Sequence, residues 1–270
     1  MLPGFLGQFV LWSSLLGCLL GTPAVAAVEI VEFPVTDFQG RTFTLTGKLT
    51  RPEGPGPFPA IVALHGCDGM DFDDPWAARL FAPWGYITLE VDSFGPRGRS
   101  STCETGALAL GANVRALDAH AGKAYLAGLA EVELERIAVW GWSDGGTTAL
   151  MAVTNPSFSE PWRPHPFAAG VAFYPRCPLK LYSLASPILI LIGEADQWNN
   201  VAYCRAMTQK GARLFDFELR VYPGASHGFD WPDAPESFHG REVRYDPTAT
   251  ADAYARAKAF LERHLEPSGY

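Results

Sequence analysis

The segment Gly141-Trp142-Ser143-Asp144-Gly145 constrains this chain more than any other. An apolar run, Arg136-Ile137-Ala138-Val139-Trp140, leads into it, and a helix-forming run from Gly146 to Val153 leads out. Strand, sharp turn and helix form the setting of a nucleophile elbow, which lifts a serine hydroxyl above the C-terminal edge of a sheet. Small residues flank such a turn because a side chain there would strike the neighbouring strand or helix. A second Gly-x-Ser-x-Gly stands at Gly224-Ala225-Ser226-His227-Gly228, but the prolines of Trp231-Pro232-Asp233-Ala234-Pro235 bar a following helix. Ser143 is therefore the expected nucleophile.

An elbow needs a wide sheet around it, and the remaining pattern supplies one. Alternating segments near Val28–Val35 and Arg41–Leu49 read as an antiparallel edge pair. Strands follow at Phe58–Leu64, Tyr86–Val91, Arg136–Trp140, Phe167–Tyr174, Pro187–Ile192 and Phe217–Tyr222. Helical stretches fall between or after them at Pro75–Pro83, Ala107–Ala130, the elbow helix, Val201–Ala212 and Thr248–Leu265. Continuous apolar strands such as Ile188 to Ile192 suit a parallel sheet covered on both faces. The expected fold is one α/β domain over residues 28–270, the α/β-hydrolase type, with about eight mostly parallel strands and helices on both faces.

Residues 1–27 stand apart. No charged side chain precedes Glu29, and an apolar stretch from Phe9 to Leu20, broken by Ser13 and Ser14, gives way to Ala24-Val25-Ala26-Ala27. This is the pattern of a cleaved secretory signal, too short for a membrane span, with cleavage after Ala26 or Ala27. A lipid on Cys18 or a retained signal anchor are the alternatives. The mature protein is expected to be exported, periplasmic or secreted. Its net charge of −8 argues against nucleic acid or an anionic membrane as partner.

Four cysteines remain after such processing: Cys67, Cys103, Cys177 and Cys204. None has metal-ligand spacing, and an even number in an exported chain suggests disulfides. Cys67 and Cys103 lie on loops that leave the same sheet edge after consecutive strands, while Cys177 and Cys204 flank the next strand. Pairing 67 with 103 and 177 with 204 needs the least reach.

A serine hydroxyl is a weak nucleophile until a base removes its proton, and the base needs an orienting acid. In this architecture both lie beyond later strands, in the order serine, acid, histidine. His227 follows the last strand, and Asp196 closes Gly193-Glu194-Ala195-Asp196, with Glu194 the alternative acid. His120, His165, His239 and His264 read as surface residues, and His65 as a support for its loop. The oxyanion would be met by the backbone N–H of Asp144, at a helix N-terminus, and by that of Cys67, in His65-Gly66-Cys67-Asp68-Gly69. Trp142, Tyr174 and Trp198 are expected at the mouth of the pocket. Arg97, on the loop Asp92–Arg99, either grips a substrate carboxylate or pairs with Asp92 or Asp68 to brace that loop.

Together, Leu64-His65-Gly66-Cys67, Asp92-Ser93-Phe94-Gly95-Pro96-Arg97-Gly98, the elbow, Gly193-Glu194-Ala195-Asp196 and Tyr222 to Phe229 resemble the dienelactone hydrolase family of α/β-hydrolases. The resemblance spans most of the mature chain. It implies hydrolysis of a small ester or lactone through a covalent acyl-enzyme, with no metal or organic cofactor. It also implies that a loop arginine near the position of Arg97 holds a substrate carboxylate. The chain departs from the family's namesakes in having serine, not cysteine, at the elbow, which points to a serine esterase. A peptidase of the prolyl-oligopeptidase type and a non-catalytic binding protein on the same fold are the rival readings.

Overall fold

Burial follows the apolar pattern closely. The computed structural model describes residues 27–104, 110–154, 166–178, 184–211 and 217–266; the expected signal segment and His165 lie outside them. The strands are β1 (Val28–Thr36), β2 (Thr42–Thr50), β3 (Phe58–Leu64), β4 (Ile87–Asp92), β5 (Val132–Trp142), β6 (Gly170–Phe173), β7 (Ile188–Gly193) and β8 (Phe217–Tyr222). They form one sheet in the order β1-β2-β4-β3-β5-β6-β7-β8. β1 and β2 pair antiparallel, as do β2 and β4, and every pair from β4 onward is parallel. β7 is buried along its whole length, as a strand covered on both faces must be, whereas β1 alternates at the edge.

The helices are α1 (Trp76–Phe81), α2 (Ala112–Ala127), α3 (Asp144–Ala152), α4 (Val201–Gly211) and α5 (Pro247–Leu265). α2 lies on the face carrying Val62, Leu89 and Val91, where a β-carbon on Gly122 would come within 2.9 Å of Val91. α1 and α5 cover the opposite face. There Trp140 meets Phe81 of α1 at 5.0 Å and Tyr254 of α5 at 6.2 Å between ring centroids. The aromatic layer continues outward: Trp140 lies 6.2 Å from Trp84 and 5.7 Å from Trp142, and Trp142 lies 4.2 Å from Trp76. α5 opens on Asp246, whose carboxylate accepts from the N–H groups of Thr248 and Ala249, with Pro247 at the first helical position.

Three expectations need correction. β6 begins at Gly170, not Phe167; Phe167 is buried and packs 5.0 Å from His120. His120 is accordingly a buried residue of α2 and not a surface one, and burial pulls its pKa down to about 4. A two-residue hairpin, β9 (Ser237–Phe238) and β10 (Arg241–Glu242), follows the loop of His227 and had no strand pattern in the sequence. Two disulfides join Cys67 to Cys103 and Cys177 to Cys204, the expected pairing. Among the described residues no helix is long and apolar enough to cross a membrane, and no group of ligating side chains could hold a metal.

Candidate active site

Ser143 stands between β5 and α3 with φ 55° and ψ −115°, a conformation a non-glycine residue rarely adopts. Holding it costs on the order of 1–3 kcal/mol, which the surrounding packing must offset. The glycines make that packing possible. A β-carbon at Gly145 would lie 2.1 Å from the Leu64 carbonyl oxygen, and one at Gly141 would lie 2.0 Å from that of Gly145. Backbone therefore meets backbone on both sides of the turn. The Ser143 N–H donates to Phe173 at 3.0 Å, so the elbow is tied to β6 as well.

The loop after β8 brings His227 to this turn. Its Nε2 lies 2.8 Å from Ser143 Oγ, and its Nδ1 lies 2.8 Å from Asp196 Oδ2. A nitrogen facing a carboxylate carries the proton, which leaves the Nε2 lone pair for the serine hydroxyl. Asp196 is fully buried, and its Oδ1 accepts from the N–H groups of Trp198 and Asn199 at 2.7 and 2.8 Å. Every oxygen of that carboxylate thus has a donor, as a buried charge requires. Glu194, the alternative acid, is half-exposed and paired with Arg205. Ser226 does not compete as nucleophile: its buried hydroxyl accepts from the Arg244 N–H at 2.8 Å and steadies the histidine loop.

The opposite wall is the loop after β3. Cys67 is held on two sides, by its disulfide to Cys103 and through its carbonyl, which accepts from the Thr102 N–H at 2.7 Å and the Ser101 hydroxyl at 3.0 Å. His65 has both ring nitrogens engaged, Nε2 accepting from the Ser93 N–H and Nδ1 against the Gly66 carbonyl at 2.7 Å. Burial, with Arg115 beside it, holds its pKa well below the usual range, so it stays neutral and braces the loop. Arg115 is fully buried on α2 and donates to both Asp144 Oδ2 at 2.8 Å and the His65 carbonyl at 2.7 Å. It fastens the elbow helix to this loop. Arg115 went unnoticed in the sequence because nothing there shows which face of α2 turns inward.

A cleft of about 450 Å³ opens between these walls, with Ser143 and His227 in it. Trp142 and Tyr174 line it as expected, joined by Trp76, Trp231 and Phe238. Trp198 is not among the lining residues; its ring stacks on His227 at 5.6 Å, and the Arg241 guanidinium lies 4.5 Å from its centroid. Arg97 is a second correction. Its guanidinium makes two bonds, 2.8 and 2.7 Å, to the fully buried Asp118 of α2, and a third to the Ser93 carbonyl. It braces its loop through a partner that the sequence did not suggest, and it is not among the residues that line the cleft. Asp230 was also missed. It is buried three residues after His227 and accepts from the hydroxyls of Tyr174 at 2.8 Å and Tyr254 at 2.7 Å. Burial pushes its pKa up, with the two tyrosines and His227 pulling the other way. An aspartate inside Gly228-Phe229-Asp230-Trp231 was the available signal.

With the geometry in hand, the relationships are direct. Residues 45–265 match the model of the dienelactone hydrolase family, and the chain belongs to that family, a carboxylic ester and lactone hydrolase by class. It is 25% identical over 258 residues to a probable 2-oxo-3-(5-oxofuran-2-ylidene)propanoate lactonase from Bradyrhizobium, covering 88% of this chain and 97% of that one. In structure it resembles a dienelactone hydrolase-like promiscuous phosphotriesterase from metagenomic libraries, with TM-score 0.71, 20% identity, and 88% and 99% of the two chains covered. It also resembles the Pyrococcus horikoshii acylaminoacyl peptidase, with TM-score 0.66 and 18% identity, over 91% of this chain but 43% of that one.

Proposed function

We propose that the protein is an exported serine hydrolase that cleaves a small carboxylic ester or lactone through an acyl-enzyme. The observation that carries this reading is the run of contacts from Ser143 Oγ to His227 Nε2 and from His227 Nδ1 to Asp196, each 2.8 Å. His227 takes the serine proton as Oγ attacks the ester carbonyl, and Asp196 holds the ring in the tautomer that can receive it. The tetrahedral oxyanion is received by the backbone N–H groups of Cys67 and of Asp144, the latter at the N-terminus of α3. Collapse expels the alcohol with the proton from His227, and water repeats the sequence to release the acid. Export is supported by the leader-like first 27 residues together with the two disulfides.

The lactonase relative, by its name, acts on a furanone-bearing propanoate, which supports a lactone or ester as the substrate here. A fluorophosphonate probe should label Ser143, and Ser143→Ala should lower kcat on a p-nitrophenyl ester by about 10³-fold or more while the fold persists. Near-normal turnover by the alanine variant overturns the assignment. Cleavage of a matched peptide anilide faster than the ester would favour a peptidase.

A further inference from the structure

Charge in the cleft is one-sided. Among its described lining residues Arg79 is the sole lysine or arginine, and it is paired with Asp74 at 2.7 Å. The cations just behind the walls are committed as well: Arg97 to Asp118, Arg115 to Asp144, and Lys48 to Glu90 at 3.2 Å. Carboxylates outnumber them. With Asp74 and Glu90 set against Arg79 and Lys48, Asp68, Asp71, Asp230 and Asp233 remain in the lining. Asp68 lies beside the reaction: a β-carbon on Gly66 would lie 2.7 Å from its Oδ1 and 3.8 Å from the Ser143 β-carbon. Carboxylate and nucleophile thus flank the same glycine. Asp68 is solvent-exposed, so its carboxylate can be reached from the cleft.

The apolar part of the lining points the same way. Trp76 and Trp142, 4.2 Å apart, together with Tyr174, Trp231 and Phe238, present π faces and edges around the serine. Aromatic faces attract alkylammonium groups, and neighbouring carboxylates reinforce the attraction when water is partly excluded. Among the described lining residues, a substrate carboxylate would find no unpaired guanidinium or ammonium.

We infer that the cleft differs from that of the lactonase relative, whose named substrate is a propanoate, in being selective for esters bearing a positive charge, such as an alkylammonium group, over those bearing a carboxylate. This rests on Ser143 being the nucleophile, and it adds the substrate class. The acyl transfer itself is unchanged: the Ser143 oxygen forms the new ester bond, the substrate's C–O bond breaks, and the proton passes through His227 to the departing alcohol.

The test uses three butyrate esters of similar size on the purified protein: choline, its neutral isostere 3,3-dimethylbutanol, and an alcohol of like length ending in a carboxylate. We expect kcat/KM for the choline ester to exceed that of the isostere by about 10-fold, and the carboxylate ester to fall below it by a similar factor. Both gaps should narrow in about 0.5 M salt, where exposed charges are screened within a few ångströms. Asp68→Asn should bring the choline-to-isostere ratio toward one, whatever it does to the absolute rates. Equal rates on the choline and neutral esters, or a faster carboxylate ester, overturn the inference while leaving the esterase reading intact. If no ester is cleaved and Ser143 takes no fluorophosphonate, the nucleophile assignment falls, and this inference falls with it.

Discussion

The two walls of the cleft are held by different physics. On the elbow side, Ser143 sits in a strained turn with glycine backbone pressed against backbone, and Arg115 locks α3 to the loop of Cys67. The histidine side has one such overlap, where a β-carbon on Gly193 would lie 2.2 Å from the Ala225 carbonyl oxygen. There His227 is placed by polar groups: Asp196 on one nitrogen, the Tyr174 ring edge-on at 4.5 Å, and Asp230 gathering two tyrosine hydroxyls behind it. Packing between main-chain atoms tolerates almost no added volume, whereas a hydrogen-bonded loop tolerates volume but depends on protonation. The elbow should therefore be sensitive to a methyl group, and the histidine side to one at Gly193 but also, through its polar groups, to pH.

The sharpest way to break this contrast is a single β-carbon. Gly145→Ala forces a clash at 2.1 Å with the Leu64 carbonyl and 2.5 Å with that of His65, neither of which can rotate aside. We expect it to lower stability by more than about 4 kcal/mol, at the far end of what one substitution does, or to prevent folding. A stable, active Gly145→Ala protein would mean that the elbow is looser than its contacts imply.

The disulfides give a second comparison, one at the cleft through Cys67 and one away from its lining. Cys177 and Cys204 are buried, while Cys67 and Cys103 are partly accessible. The bridges close 36 residues for 67–103 and 27 for 177–204, so on chain entropy each contributes about 3–4 kcal/mol, and access distinguishes them. Mild reductant should open Cys67–Cys103 first, lowering both thermal stability and kcat. Mass mapping after partial reduction checks this; opening of Cys177–Cys204 first would reverse the contrast.

The smallest expected effect tests the histidine side. Burial raises the Asp230 pKa above its ordinary 3.8, so the folded protein holds that proton more tightly than the unfolded chain does. The resulting stabilisation is complete below that value and is lost as pH rises through the folded-state pKa. Measured from pH 3 upward in unfolding titrations, the wild type should therefore lose stability relative to Asp230→Asn. At neutral pH the variant should also turn over more slowly, since Asp230 anchors the Tyr174 ring that packs on His227. A stability difference flat with pH would show that Asp230 does not titrate in this range.

The sheet and its chemistry were legible in unequal measure. Ile188 to Ile192 is readable as a central strand because a strand buried on both faces leaves no room for polar residues, and β8 lies at Phe217–Tyr222 as read. Ser143, Asp196 and His227 could be placed because each follows a strand end, which depends on order along the chain alone. Arg97 could not be placed, since its choice between substrate and protein depends on Asp118, an inward-facing charge on α2 that no local pattern reveals. Trp198 was put at the mouth by proximity in sequence, while its ring instead backs the imidazole. Faces of helices and directions of loop side chains are set by tertiary packing, and a spacing argument stops short of them.

The row of indoles beneath the cleft has an optical consequence. Trp84, Trp140, Trp142 and Trp76 form an unbroken series with ring centroids 6.2, 5.7 and 4.2 Å apart, ending at the wall where substrate would lie. At such separations excitation absorbed by one indole migrates among all four before it is emitted. Because Trp142 and Trp76 also line the cleft, their shared emission should respond to whatever occupies it.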